Sequence, residues 1–108
     1  MDPEPAVRLP QSLVELYRKD HRALGADQRF LREVVSSLEA GDSWSVGVYA
    51  GKLSASLKQA FPALDFPAYH VKQFEAETFV RRIGARFREQ LPLARAVLAR
   101  LEALREPR

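Results

Sequence analysis

The side chains that could carry out acid–base or metal chemistry are few in this chain and poorly spaced for it. The sequence holds two histidines, His21 and His70, and no cysteine. It therefore lacks the ligand sets of the usual zinc sites, and cysteine nucleophiles and disulfides are excluded. Glu75 and Glu77 lie two residues apart, so on a helix they would face different sides instead of forming an acid–base pair. We predict no catalytic residue, no metal site and no cofactor.

Motifs that bind phosphate or activate a nucleophile are also missing. The sequence contains no P-loop, no G-x-G-x-x-G turn and no G-x-S-x-G elbow. These motifs mark common nucleotide-binding folds and serine hydrolases of the α/β type. Their absence favours a binding protein, and we predict that the chain is not an enzyme.

Length and composition indicate one small globular domain. The chain has 108 residues, of which 46% are hydrophobic and 29% charged, as is usual for a folded protein. We expect a flexible, proline-rich leader over residues 1–9 and a single helical domain over residues 10–106. No apolar run reaches the roughly 18 residues of a membrane span, and the beginning of the chain is unlike a secretory signal. We expect a cytoplasmic or nuclear address and no membrane partner.

Apolar spacing predicts an all-α fold of about five helices, with little or no strand. A first helix over about residues 11–24 would end at Gly25. A second would begin after the cap Asp27 and end at Gly41. A third segment would begin at Asp42 or Ser43 and end before Pro62.

The third segment leaves one alternative open at its start. Trp44, Val46 and Val48 alternate, so the segment could begin as a short strand and turn helical at about Tyr49. Its small residues recur every four positions, a spacing that favours tight helix packing. These residues are Gly47, Gly51 and Ala55.

Two further helices are predicted beyond the proline corner. Asp65 would cap the fourth helix, with Pro67 in its first turn. Pro92 suits the start of a last helix, because proline is tolerated in a first turn and not in a helix interior. The apolar face of this last helix consists of Leu93, Val97, Leu98, Leu101 and Leu104.

The central stretch resembles a LOTUS (OST-HTH) domain, a small winged-helix module, over about residues 29–80. Two departures stand out: His70 occupies the place of a glycine, and arginine-rich helix is predicted after Phe79, where the family has a β-hairpin wing. The resemblance implies a winged-helix-like core and binding of RNA or of a helicase-type protein. The matching residues are Val48, Leu53, Leu57, Lys58, Phe61, Pro62, Leu64, Asp65, Tyr69, Lys72 and Phe74.

A shorter similarity lies near the start of the chain. The tripeptide Leu16-Tyr17-Arg18 resembles the motif of the LYR mitochondrial assembly factors. That family places a phenylalanine well downstream, whereas Phe30 here is close to the tripeptide.

The distribution of charge permits an anionic partner. The net charge is +3, and residues 81–108 hold eight arginines against three glutamates. With the LOTUS resemblance, this predicts RNA binding through phosphate contacts that weaken as salt rises. Trp44 and Tyr69 could stack on bases, but we assign both mainly to core packing. The alternative for the arginines is a solvated helix face. The predicted nucleic-acid-binding residues are Lys52, Lys58, Lys72, Arg81, Arg82, Arg86 and Arg88.

The competing prediction is a protein–protein assembly module. A small helical bundle can present an apolar stripe to a partner helix or to a second copy of itself. The last helix offers such a stripe. The predicted partner-binding residues are Leu93, Val97, Leu101 and Leu104.

Overall fold

A long central helix organises the part of the chain that the structure describes, residues 6–65 and 89–105 of a computed structural model. Helices α3 (Ser43–Ala50) and α5 (Leu91–Arg105) pack most extensively on this helix, α2 (His21–Ala40), and α1 (Gln11–Lys19) packs on it to a lesser extent. No strand occurs within these two ranges, which confirms the all-α prediction. The elements are α1 Gln11–Lys19, α2 His21–Ala40, α3 Ser43–Ala50, α4 Ala55–Ala60, a 3₁₀ turn Pro62–Leu64 and α5 Leu91–Arg105.

The break between α1 and α2 lies earlier than the sequence predicts. Asp20 ends α1 and caps α2, because its carboxylate accepts hydrogen bonds from the backbone N–H groups of Arg22 and Ala23. Helix α2 then continues through Gly25 for 20 residues. The prediction that Gly25 ends a helix is therefore wrong. So is the prediction that Asp27 is a cap, because Asp27 is buried inside α2.

The corner between α2 and α3 follows the predicted signals. Gly41 ends α2 in the left-handed conformation, with φ of 73°, which favours glycine. Asp42 caps α3 by accepting from the backbone N–H of Ser45. Residues 43–50 are helical from the first turn, so the alternative of an opening strand is wrong.

The predicted third segment is two helices instead of one. Helix α3 ends at Ala50, and Ser54 caps α4 by accepting from the N–H of Leu57. Helix α4 ends at Ala60, just before Pro62, as predicted. Within the described residues the spacing of glycines does not serve a close helix contact, because a Cβ at Gly47 would meet no described atom within 4 Å.

Helix α5 runs antiparallel to α2 and closes the core. Arg95, near the start of α5, forms an ion pair with Glu39 near the end of α2. Glu102, near the end of α5, forms an ion pair with Arg32 of α2. Pro92 lies in the first turn, as predicted. The core draws on every helix and on the 3₁₀ turn; its fully buried residues include Leu31, Val34, Leu57, Leu64, Ala94, Val97 and Leu101.

Residues just before α1 are packed, although the sequence predicts a flexible leader there. Val7 is buried, and Leu9 packs against the core. Arg100 fixes this segment, since its Nε donates to the Val7 carbonyl oxygen at 2.9 Å. The leader prediction is corrected for these positions by an apolar anchor and a hydrogen bond to α5. Residues 1–5 lie outside the described ranges.

Several predictions fall on residues 66–88, which also lie outside the described ranges. These are the fourth helix with Pro67 in its first turn and the choice between a wing and a helix after Phe79. They stay predictions.

Candidate interaction surface

The outer face of α3 is apolar and exposed. Trp44 is 81% exposed and Val48 is 42% exposed. Helix α3, with the sequence SWSVGVYA, contains no charged residue. An isolated apolar side chain on a surface is ordinary, but a helix that is apolar on both faces is normally covered on both. We call Trp44 and Val48, together with Gly47 between them, the α3 outer face.

Helical spacing explains why this face points outward. Residues four apart lie on the same side of a helix, and residues two apart lie on nearly opposite sides. Val46 and Ala50 are buried against α2 and the core. Trp44 and Val48 must then face away from the core. The sequence reading that assigned Trp44 mainly to core packing is therefore wrong.

Opposite charges lie at the two ends of the α3 outer face. At its start the carboxylate of Asp42 is exposed and accepts from the Oγ of Ser45 at 2.6 Å and from its N–H at 3.1 Å. These hydrogen bonds lower the pKa of Asp42, and the bond from the Ser45 side chain has the largest effect. The carboxylate therefore stays ionised at neutral pH.

Two cations lie beyond the other end of α3. The Lys52 Nζ lies 5.4 Å from the centroid of the Phe30 ring, and the Arg29 Cζ lies 5.8 Å from it. Both side chains are exposed, and within the described residues neither forms an ion pair. Lys52 follows Val48 by four residues and lies two positions beyond the last residue of α3. The face thus runs from an acidic end to a basic end.

A buried carboxylate joins three helices in the interior of the molecule. Asp27 is 1% exposed. Its Oδ2 accepts from the Tyr17 hydroxyl and from the Ser54 Oγ, each at 2.6 Å, and its Oδ1 accepts from the Ser54 N–H at 2.8 Å. Hydrogen bonds of this kind compensate a carboxylate for lost water. Asp27 therefore ties α1 and the start of α4 to α2.

The same contacts alter the acidity of Tyr17. Burial of the ring, then the hydrogen bond to Asp27 and the nearby negative charge, raise the pKa of Tyr17 well above its ordinary value. The phenol therefore stays protonated and acts as a donor throughout the physiological pH range. With its acceptor already engaged and the ring buried, it is suited to structure more than to proton transfer.

An open groove of about 500 Å³ lies between the start of α1 and α4. Its walls include Ser12, Ser56 and Gln59 together with the apolar Leu13 and Leu16. None of these side chains titrates near neutral pH. Among the described residues that line the groove, no acid or base lies beside the serines.

The structure places two of the seven predicted nucleic-acid-binding residues. Lys52 is exposed beside Phe30, and Lys58 is half-buried on α4. Of the two histidines, His21 lies within the described ranges, and it is exposed at the start of α2. The other five residues, Lys72, Arg81, Arg82, Arg86 and Arg88, lie outside the described ranges.

The predicted partner-binding face of α5 is divided between the core and the surface. Val97 and Leu101 are fully buried, so they pack within the chain. Leu93 is half-buried, and Leu104 is 37% exposed. Only the last two could reach a partner without rearrangement of α5.

The residues that sequence reasoning missed could have been found by spacing. Asp27 and Gln28 occur between Leu24 and Leu31, on the stripe that α2 buries. Such a pattern predicts buried polar groups once the helix is known to continue through Gly25. Gln28 meets this expectation, since its Nε2 donates to the Leu101 carbonyl oxygen at 2.6 Å.

The described part of the chain holds neither a cluster of metal ligands nor a helix that could span a membrane. No three His, Asp or Glu side chains there lie together as a metal ion would need. No helix within residues 6–65 and 89–105 has both the length and the apolar character for crossing a membrane.

No model of a protein family, no curated protein and no solved structure matches this chain.

Proposed function

We propose that this protein is a non-enzymatic binding module that docks a protein partner on the α3 outer face. The observation that carries the proposal is the 81% exposure of Trp44 on a helix without charged residues. Tryptophan is among the residues most enriched where protein interfaces concentrate their binding energy. A cytoplasmic address belongs to the same proposal and rests on the cysteine-free sequence.

The size of the exposed tryptophan supports a binding role in energetic terms. A tryptophan side chain buries about 150–250 Å² when it is covered. At about 25 cal/mol per Å², covering most of that area would contribute roughly 4 to 5 kcal/mol before the entropic costs of association. Val48 and Gly47 beside it form a shallow surface on which a partner side chain can pack.

The charge of the described chain favours a protein over a nucleic acid. Residues 6–65 and 89–105 together carry eleven lysines and arginines against nine aspartates and glutamates. A nucleic-acid site requires a marked excess of cations, because phosphate contacts supply most of the affinity. Nearly balanced charge around an uncharged apolar helix is typical of protein interfaces instead.

Site-specific photocrosslinking tests the proposal. A photoreactive amino acid replaces Val48 in the full chain, which is expressed in the cells of its source and irradiated. A matched variant carries the same residue at Ala26, an exposed position on α2. We expect one or a few discrete products from position 48 and none of them from position 26. The same products should disappear when Trp44→Ala is added.

Two results would contradict the proposal. One is the absence of any discrete product from position 48. The other is a set of products that is the same from positions 48 and 26, since this would indicate random collisions.

A second candidate function, RNA binding, has an observation of its own. Trp44 is exposed on α3, Lys52 lies two residues beyond the end of α3, and Arg29 lies beside Lys52 at the Phe30 ring. An exposed aromatic ring beside cations can stack on a base while the cations contact phosphates. The LOTUS resemblance and the arginines of residues 81–108 favour the same function.

Fluorescence anisotropy with labelled single-stranded and G-rich RNA tests this second candidate. RNA binding predicts an affinity that falls steeply with salt and is lost in the Arg82→Glu/Arg86→Glu variant. It also predicts weaker binding by Trp44→Ala. Binding that is equally strong in all variants, or absent at low salt, would eliminate it.

A further inference from the structure

We infer that the partner of the α3 outer face is a second copy of this chain, paired with its α3 antiparallel to the first. This inference rests on the proposed function, since it names the occupant of the same surface. It is carried by the order of charges along α3, which makes the surface complementary to itself.

Charged groups of opposite sign lie at the two ends of α3. Asp42 lies at the start, the apolar pair Trp44 and Val48 lies in the middle, and Lys52 lies just beyond the end. Arg29 adds a second cation at the Lys52 end, on the same Phe30 ring. A surface that is acidic at one end and basic at the other is complementary to itself after a twofold rotation.

The spacing also places suitable groups opposite each other. Val48 lies midway between Trp44 and Lys52, so it would lie at the twofold axis of an antiparallel pair. Trp44 of one copy would then face Lys52 of the second, a geometry for a cation–π contact. Asp42 would lie near the cationic end of the second copy. A parallel pair would instead bring equal charges together at both ends.

The absence of side chains at two positions allows α3 and its copy to approach closely. A Cβ at Gly47 would meet no atom of the described residues within 4 Å, and Gly51 is exposed just after the last residue of α3. Each can therefore receive a side chain of the second copy. The bulky Trp44 ring would fit beside Gly51 of the other copy, which lies next to Lys52 in this register.

The small size of the surface sets the expected strength. Helix α3 has eight residues and is about 12 Å long. Such a contact falls below the roughly 800 Å² per partner of a standard interface. We therefore expect a weak, concentration-dependent dimer with a dissociation constant on the order of 10–100 µM.

Analytical ultracentrifugation and tryptophan fluorescence of the full chain test the inference together. Sedimentation is measured from well below to well above the expected dissociation constant. Trp44 is the single tryptophan of the sequence, so its emission reports this surface alone. We expect the dimer fraction to rise with concentration, while the emission shifts to shorter wavelength and quenching by acrylamide decreases along the same curve.

Variants separate this pairing from other modes of association. Trp44→Ala and Lys52→Glu should each weaken the dimer at least about tenfold, whereas Lys52→Arg should preserve it. Asp42→Asn should weaken the dimer several-fold while keeping the cap on α3, because asparagine caps helices as well as aspartate. Two matched controls, Leu104→Ala and Lys58→Glu, remove an exposed apolar group and reverse a charge elsewhere; both should leave the dimer unchanged.

The outcomes distinguish this inference from the function on which it rests. A monomer at all concentrations, together with a photocrosslinked product from position 48 to a different protein, would overturn the homodimer and support the binding module. A monomer with fully quenchable Trp44 and no photoproduct would overturn both. A dimer that survives Trp44→Ala and Lys52→Glu would also overturn the α3 pairing.

Discussion

Two regions of this protein depart, in opposite directions, from the usual placement of polar groups outside and apolar groups inside. Around Asp27 and Gln28, polar side chains are 1% exposed in the interior. On the α3 outer face, Trp44 is 81% exposed to water. The first region belongs to α2, and the second lies on α3, which packs on α2.

The two regions differ in whether the chain itself supplies contacts for their side chains. Asp27 accepts three hydrogen bonds from Tyr17 and Ser54, and Gln28 donates to the Leu101 carbonyl. In the described residues, every buried side-chain nitrogen and oxygen atom has a partner. The interior region is complete within the chain. Trp44 has no such cover within the described residues, and this contrast is why we assign structure to one region and binding to the other.

The largest expected effect comes from breaking the interior region. Asp27→Asn leaves one amide oxygen where two carboxylate oxygens accepted three hydrogen bonds, so at least one buried donor loses its acceptor. We expect a loss of about 2–4 kcal/mol in the free energy of unfolding, measured by urea denaturation. Asp20→Asn should change it by less than about 0.5 kcal/mol, because asparagine still caps α2. Equal losses in the two variants would contradict the assigned role of Asp27.

Alkaline pH should weaken the same region through Tyr17. The raised pKa means that the folded state keeps its phenol proton after an unfolded tyrosine has lost it. This contribution is complete below about pH 10 and decreases by up to about 1.4 kcal/mol per pH unit above it. The measurement is the free energy of unfolding from pH 8 upward for the wild type and for Tyr17→Phe. The difference between them should shrink as pH rises; a constant difference would contradict the prediction.

The cap of α3 should contribute less to the free energy of unfolding than the contacts of Asp27. Asp42→Ala removes the acceptor for the Ser45 N–H and Oγ. We expect a loss of about 1 kcal/mol in thermal or urea unfolding. Asp42→Asn should recover most of it, since its side-chain oxygen can accept the same backbone bond. A loss equal to that of Asp42→Ala would indicate that the charge, and not the cap, stabilises α3.

The smallest effect on stability should come from the most exposed residue. Trp44→Ala removes few contacts within the described chain, so the free energy of unfolding should change by less than about 0.5 kcal/mol at concentrations where the protein is monomeric. Calorimetry or urea denaturation of dilute protein measures it. A loss above about 2 kcal/mol would mean that Trp44 is covered by its own chain, and the comparison between the two regions would fail.

Local signals predicted part of this structure well. Gly41 and Asp42 were identified as the end of one helix and the cap of the next, and Pro62 as a terminator. Each acts through its own backbone or its immediate neighbours. Such effects depend on a few adjacent residues and can be read from sequence.

Tertiary contacts decided the features that were predicted wrongly. Gly25 lowers helix stability by about 1 kcal/mol, yet α2 continues through it because residues on both sides of it pack in the core. Asp27 resembles a cap in sequence, and only its distant partners Tyr17 and Ser54 reveal its place in the interior. Trp44 could be assigned to the surface only after α3 was known to be helical from its first turn.

The double role of Ser54 has a consequence for how the molecule opens. Helix α4 has six residues, too few to persist alone. Ser54 caps it through Leu57 and at the same time binds Asp27 on α2. Fraying of α4 therefore also breaks the hydrogen bonds between Ser54 and Asp27. Helices α4 and α2 should then unfold as one cooperative unit. In native-state hydrogen exchange, the amide protons of Ser54 and Leu57 should exchange together with those of central α2, instead of earlier as expected for a short helix.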